Sequence, residues 1–208
     1  MPKTNKKTGV YMGAGYYDKV YATSKVYSKK PEDIFYHELW MSGVRDVIEK
    51  KPKVIVDLGC GPGHFAKLLL NHKVPIEKYI GYDFSRVALA MATKTVPDPR
   101  FVFKWADLMK YDYRQDIKGI PLEDIMFVSY EFLEHIPGDL QILQKIPKGA
   151  CVSFSVPNYP YKGHVRFFKN SREIKKRYTF LKLSKCTRIY PHKDRKEKVI
   201  FYNLSTRI

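Results

Sequence analysis

The sequence predicts an α/β fold: a mostly parallel central sheet with helices on both faces and a C-terminal antiparallel hairpin. Three observations predict it. Short apolar runs alternate with amphipathic stretches between residues 54 and 156, a glycine-rich turn follows the first run, and the end of the chain changes to apolar–polar alternation.

Residues 1–30 are rich in Tyr, Lys and Gly without a sustained period, and read as an N-terminal arm or lid with at most a helical turn. Residues 31–208 form the main domain. Pro31-Glu32-Asp33 opens a helix that Ile34, Phe35, Leu39, Val44, Val47 and Ile48 carry to Lys50 as an apolar stripe. Strands are expected at 54–56, 79–82, 101–103, 125–128 and 150–156. Helices are expected at 65–70, 85–95, 140–145 and 171–178. The segments 180–190 and 199–204 then read as the hairpin.

A chain of 208 residues suits one domain. No apolar run reaches the ~20 residues of a membrane span, and the polar N-terminus carries no signal core, so a cytoplasmic protein without membrane contact is expected. Cys60, Cys151 and Cys186 show neither CxxC nor metal-ligand spacing, which fits a reducing compartment. The net charge of +17 is uneven, with +12 falling in 162–208. Such a block either attracts an anionic partner, nucleic acid included, or forms a solvated edge.

The strongest local signal is Val54-Ile55-Val56-Asp57-Leu58-Gly59-Cys60-Gly61-Pro62-Gly63-His64-Phe65. A buried strand ends in an acid, three glycines alternate, and a helix begins. Glycines let a backbone turn tightly and approach a ligand, and the helix start offers free N–H groups. A second strand ends in Gly81-Tyr82-Asp83, where an acid can bind both hydroxyls of a ribose.

The Asp-x-Gly-x-Gly-x-Gly pattern resembles motif I of the class I S-adenosylmethionine-dependent methyltransferases, a Rossmann-like fold. The likeness runs over about residues 31–180 and includes Trp105-Ala106-Asp107-Leu108 after the third strand and Val156-Pro157-Asn158 after the fifth. The resemblance implies S-adenosyl-L-methionine as cofactor and S-adenosyl-L-homocysteine as product. It assigns the cofactor to Asp57, Gly59, Cys60, Gly61, Gly63, Asp83, Phe84, Asp107, Leu108 and Glu131. Asp57 and the glycine backbone take the methionine end, Asp83 the ribose, and Asp107 the adenine amine.

Glu131-Phe132-Leu133-Glu134-His135 follows the fourth strand. A helix starting there sets both carboxylates on one face. The stretch resembles the ubiquinone-pathway O-methyltransferases, whose equivalent motif is linked to Mg²⁺. It also resembles the small-RNA 3′-terminal 2′-O-methyltransferases, whose metal site has a second His where Ile136 stands, plus a distant His. His164 is the candidate for that last position. Glu131, Glu134 and His135 are the candidate ligands of Mg²⁺ or another divalent cation. Glu131, His135 and His164 are the candidate catalytic residues, with His135 as general base if no metal binds. The scaffold alternative leaves Glu131 lining the cofactor pocket, Glu134 capping a helix and His135 packing.

The expected function is O-methylation of a hydroxylated small or medium-sized acceptor. One alternative is methylation of an RNA ribose or end through 162–208, with Tyr178, Phe180, Tyr190 and Phe201 as stacking platforms. Another is a non-catalytic S-adenosylmethionine- or nucleic-acid-binding subunit. Oligomeric state has no signature in the sequence.

Overall fold

A computed structural model describes residues 9–192 and 194–208. One seven-stranded sheet has the order β3-β2-β1-β4-β5-β7-β6. Its strands are β1 Val54–Leu58, β2 Lys78–Asp83, β3 Phe101–Trp105, β4 Ile125–Ser129, β5 Cys151–Pro157, β6 Leu181–Ile189 and β7 Ile200–Arg207. The first five pair in parallel, and β7 runs antiparallel between β5 and β6.

Alternation along β1 divides the core. Val54, Val56 and Leu58 face one cluster with Phe127, Phe154, Ile142 and Ile174, whereas Ile55 faces another with Leu39, Val44, Leu68 and Leu69. Helix α2 (His37–Lys50) and helix α3 (His64–Asn71) supply the second cluster. Helix α5 (Asp139–Gln144) and helix α6 (Ser171–Arg177) supply the first. Strands covered on both faces explain why their sequences read as continuous apolar runs.

Parallel strands converge their C-terminal ends on one edge, where the order reverses on either side of β1. The glycine loop after β1 and the acid after β2 therefore meet there. Strand β6 has the same direction as β5, so its C-terminal end and the turn before β7 reach this same edge.

Three segments differ from expectation. Residues 31–50 are broken: a 3₁₀ turn covers Pro31–Asp33, Ile34 turns extended and buries its side chain, and α2 begins at His37. The arm contains ten helical residues, α1 Ala14–Thr23, none fully buried. No helix starts at Glu131, whose φ of +53° is left-handed; only a 3₁₀ turn at Leu133–His135 follows. Among the described residues, no helix is long and apolar enough to cross a membrane.

Candidate active site

The glycine loop is shaped by its neighbours. Gly59 has φ +86°, and a Cβ there would collide with the Phe132 ring. Gly63, at φ +81°, caps α3 in the left-handed region and abuts Ala92 of helix α4 (Arg86–Thr95). Only glycine combines that backbone with such close packing.

Asp83 ties the two loops together. Its carboxylate accepts from the Gly61 N–H at 3.0 Å and from the Ser85 N–H at 2.8 Å. Ser85 caps α4 by accepting from the Ala88 N–H, and its hydroxyl donates to Asp18 of α1 at 2.6 Å. Asp18 also accepts from the Val87 N–H at 3.3 Å. One hydrogen-bonded chain thus links the glycine loop, the acid after β2 and the arm.

Asp57 is buried at the end of β1 and accepts from the Tyr79 hydroxyl. Burial raises its carboxyl to about 7 and that of Asp83 to about 6. The sign follows directly. A carboxyl with a raised folded pKa contributes stability that is complete below its unfolded value near 4 and lost as pH rises through the folded value. The share of stability that these two carboxyls contribute to the ligand-free protein should therefore be lost between about pH 4 and 7. Thermal melts of Asp57→Asn should show a flatter slope; an identical slope would remove Asp57 from this balance.

Three contiguous cavities run along this edge. Asp57, Gly59, Cys60, Gly61 and Glu131 line the first, with Tyr21 and Trp40. Gly59, Asp83, Phe84 and Glu131 line the second, with Tyr17, Phe132 and His135. Asp83, Phe84, Asp107 and Leu108 line the third, with Met109 and Ile136. All the sequence-assigned cofactor residues except Gly63 line one of them; Gly63 lies behind, at the helix start. Tyr17 and Tyr21 of the tyrosine-rich arm line these cavities from α1.

The Glu131–His135 stretch separates into two groups. Glu131 lies with Ser155, donating its N–H to that hydroxyl at 2.9 Å and accepting from it at 3.3 Å. Glu134, His135 and His164 come together, one ligand-type atom from each lying within 4.8 Å of the others. Glu131 stands outside this group, and His164 stands in it. The Glu134 side chain is fully buried, and neither carboxylate oxygen has a partner. Burial pushes its carboxyl upward, and the nearby Glu131 adds to the effect.

The two imidazoles are oriented from behind. His135 Nδ1 lies 3.2 Å from the Gly163 carbonyl, and His164 Nδ1 lies 3.1 Å from the Tyr159 carbonyl. A carbonyl only accepts, so each Nδ1 carries the proton and each Nε2 presents a lone pair. Burial lowers His135 to about 3 and His164 to about 4, which keeps both rings neutral.

Arg166 holds this turn. It donates to the Leu133 and Ile136 carbonyls, to the Pro137 carbonyl at 3.0 Å, and pairs with Asp139 at 3.1 Å. With Arg177 and Tyr178 also on Asp139, its guanidinium is committed to positioning rather than to an acceptor.

This sheet order, the glycine loop after β1 and the acid after β2 define the class I methyltransferase fold. Residues 55–147 match the family described as methyltransferase domain, and the chain carries the fold and cofactor motifs of a class I S-adenosylmethionine-dependent methyltransferase. The methyltransferase domain of bacterial CtHen1-CN shares the fold with TM-score 0.62 and 20% identity, over 83% of this chain and 99% of that one. An S-adenosylmethionine-dependent methyltransferase from Anabaena variabilis ATCC 29413 gives TM-score 0.66 and 16% identity, over 94% and 93%. Magnesium protoporphyrin IX methyltransferase from Synechocystis PCC 6803, with bound S-adenosylmethionine, gives 0.63 and 13%, over 94% and 92%. Trans-aconitate 2-methyltransferase of Variovorax paradoxus (strain S110) is 47% identical over 47 residues, 23% of this chain. The match spans only 18% of that relative's length.

Proposed function

We propose that the chain is a divalent-cation-assisted O-methyltransferase that moves the methyl group of S-adenosylmethionine to an acceptor hydroxyl. The observation that carries this reading is the buried Glu134 carboxylate, with two unpartnered oxygens, gathered with His135 and His164 so that one ligand-type atom of each lies within 4.8 Å of the others. An unpaired buried carboxylate is costly, so such a group calls for a cation. The backbone carbonyls behind both rings supply the orienting support that metal-binding histidines usually have. The donor set fits, and Glu134, His135 and His164 would hold the ion. When bound, the ion lowers the pKa of a hydroxyl and orients it.

The protein's own groups do the rest. Asp57 and the glycine-loop backbone hold the methionine end of the cofactor, and Asp83 accepts from the ribose. Asp107, Leu108 and Ile136 border the adenine. Glu131 lines both the cavity of Asp57 and that of Asp83 and His135. Helix α1, fastened by Asp18 to Ser85, acts as a lid that excludes water while the acceptor oxygen attacks the methyl carbon. The C–S bond breaks, the sulfonium becomes a neutral thioether, and the hydroxyl proton passes to the Glu131 carboxylate, which lines the same cavity as Asp83 and His135.

Labelled S-adenosylmethionine offered to a cell extract divided into small-molecule, RNA, DNA and protein fractions tests this reading. Transfer should fall on chelation and return with Mg²⁺ or Mn²⁺. Transfer indifferent to chelator would reject the cation; absence of label in every fraction would favour a binding-only protein.

A further inference from the structure

We propose that the basin beside His164 binds one nucleotide, its base against the aromatic wall and its phosphate on Arg195 and Lys198. This rests on the O-methyltransferase reading, and makes a ribose hydroxyl the acceptor.

The basin opens between α1, the segment 34–36, the loop after β5 and the turn between β6 and β7. Its volume of about 390 Å³ falls within the range of small-ligand sites, ~300–1,000 Å³. Phe35, Tyr36, Tyr159, Tyr161 and His192 give it flat walls. Phe35 is 38% exposed and Tyr161 60% exposed, so large aromatic faces stand open beside a reaction site. Phe35 lies 4.2 Å from Tyr36 and 4.7 Å from His192, ring to ring, which joins the segment before α2 to the basic turn in one aromatic patch. Every nucleobase offers a π-face to such a surface. His164 lines the basin as well as the cation-binding group, so an occupant lies next to the reaction.

The charge is in the right place. Arg195 and Lys198 line the basin, with Lys198 lying over the Tyr159 ring at 5.1 Å. Arg195 meets Asp194 only at 3.8 Å, and both side chains are exposed, so that pairing is weak. Asn158 fixes the turn, donating to the Glu197 carbonyl at 2.9 Å and accepting from the Val199 N–H at 2.7 Å. This placement revises the expected interface. Tyr178 and Phe201 are buried and Phe180 packs on the core, so they offer no stacking face. Lys182 and Arg188 are exposed on β6, outside the basin. The nucleotide can arrive free or as the terminal unit of a strand, and the chemistry of recognition is shared.

The test measures binding separately from methyl transfer. Uridine monophosphate is titrated by calorimetry. Single-stranded oligouridylates with free and blocked 3′ ends are titrated by fluorescence anisotropy, all against the full chain with S-adenosylhomocysteine. Phe35→Ala should weaken binding by ~5- to 150-fold. Arg195→Ala with Lys198→Ala should weaken it and reduce the salt slope of strand binding by ~0.7, the value for one single-strand phosphate. Lys182→Ala with Arg188→Ala is the charge-matched control and should change affinity little. Far-UV spectra and melting temperatures establish that the variants fold. Equal affinity for the monophosphate and the strands supports a free nucleotide; preference for an open 3′ end supports a strand terminus. Lack of binding by any of the three probes, or equal losses in the basin and control variants, overturns the proposal. Binding without methyl transfer supports the basin and rejects the reaction. Chelator-sensitive transfer to a small hydroxy acid without nucleotide binding rejects the basin and keeps the reaction.

Discussion

Glu134→Gln is expected to eliminate divalent-cation binding and to lower methyl transfer by at least ~100-fold, while leaving the ligand-free protein as stable as before or more so. Loss of a supporting contact behind a metal ligand already costs ~10- to 100-fold, and loss of a ligand costs more. The stability arm carries the discrimination. Glu134 is fully buried, and its two oxygens have no partner. A glutamine keeps the shape and is neutral, as is the form that burial favours for the Glu134 carboxyl in the ligand-free protein, so it creates no buried-charge penalty. If Glu134 were scaffold, the variant would keep its activity. If its carboxylate held the turn together, the variant would melt earlier. Manganese titration followed by electron paramagnetic resonance, beside a thermal melt, separates the three cases. His164→Ala should lose the cation too, whereas Glu131→Gln should bind it and lose rate instead, because Glu131 sits with Ser155 outside the cation-binding group.

The division between Glu131 and Glu134 shows where sequence reading stops. Their three-residue spacing suggests a shared helical face, but Glu131 takes a left-handed backbone and only a 3₁₀ turn follows. That conformation depends on Ser155 of β5 and on Arg166, which gathers the Leu133, Ile136 and Pro137 carbonyls from 30 residues away. Local pattern has no access to such contacts. The same holds for His164, whose nearness to His135 arises from the loop after β5 folding back across the edge of the sheet. The glycine loop was legible for the opposite reason. Strands β1 and β2 are covered on both faces, so apolar runs mark them, and the acid and glycines follow within a few residues. Helix α1 escaped because none of its residues is fully buried: its tyrosines face the site rather than the core. An arm that packs over a binding site lacks the periodicity of an arm that packs on a core.

Asp83→Ala is expected to weaken S-adenosylmethionine binding by ~1–3 kcal/mol, or ~5- to 150-fold in Kd. Two effects contribute. The variant removes the acceptor for the ribose hydroxyls, and it also releases the Gly61 and Ser85 N–H groups that the carboxylate now holds. Asp18→Ala isolates part of the second effect, because it frees Ser85 and Val87 from the arm without touching the ribose position. It should cost only a few-fold, mainly through faster release of the cofactor. A calorimetric cycle of the two single variants and the double variant then decides the role of Asp83. A loss at Asp83 well above that at Asp18, with adenosine binding reduced in parallel, assigns the carboxylate to the ribose. Equal losses that do not add would leave Asp83 as the fastening of the glycine loop and lid, and would place the ribose acceptor elsewhere along the second cavity.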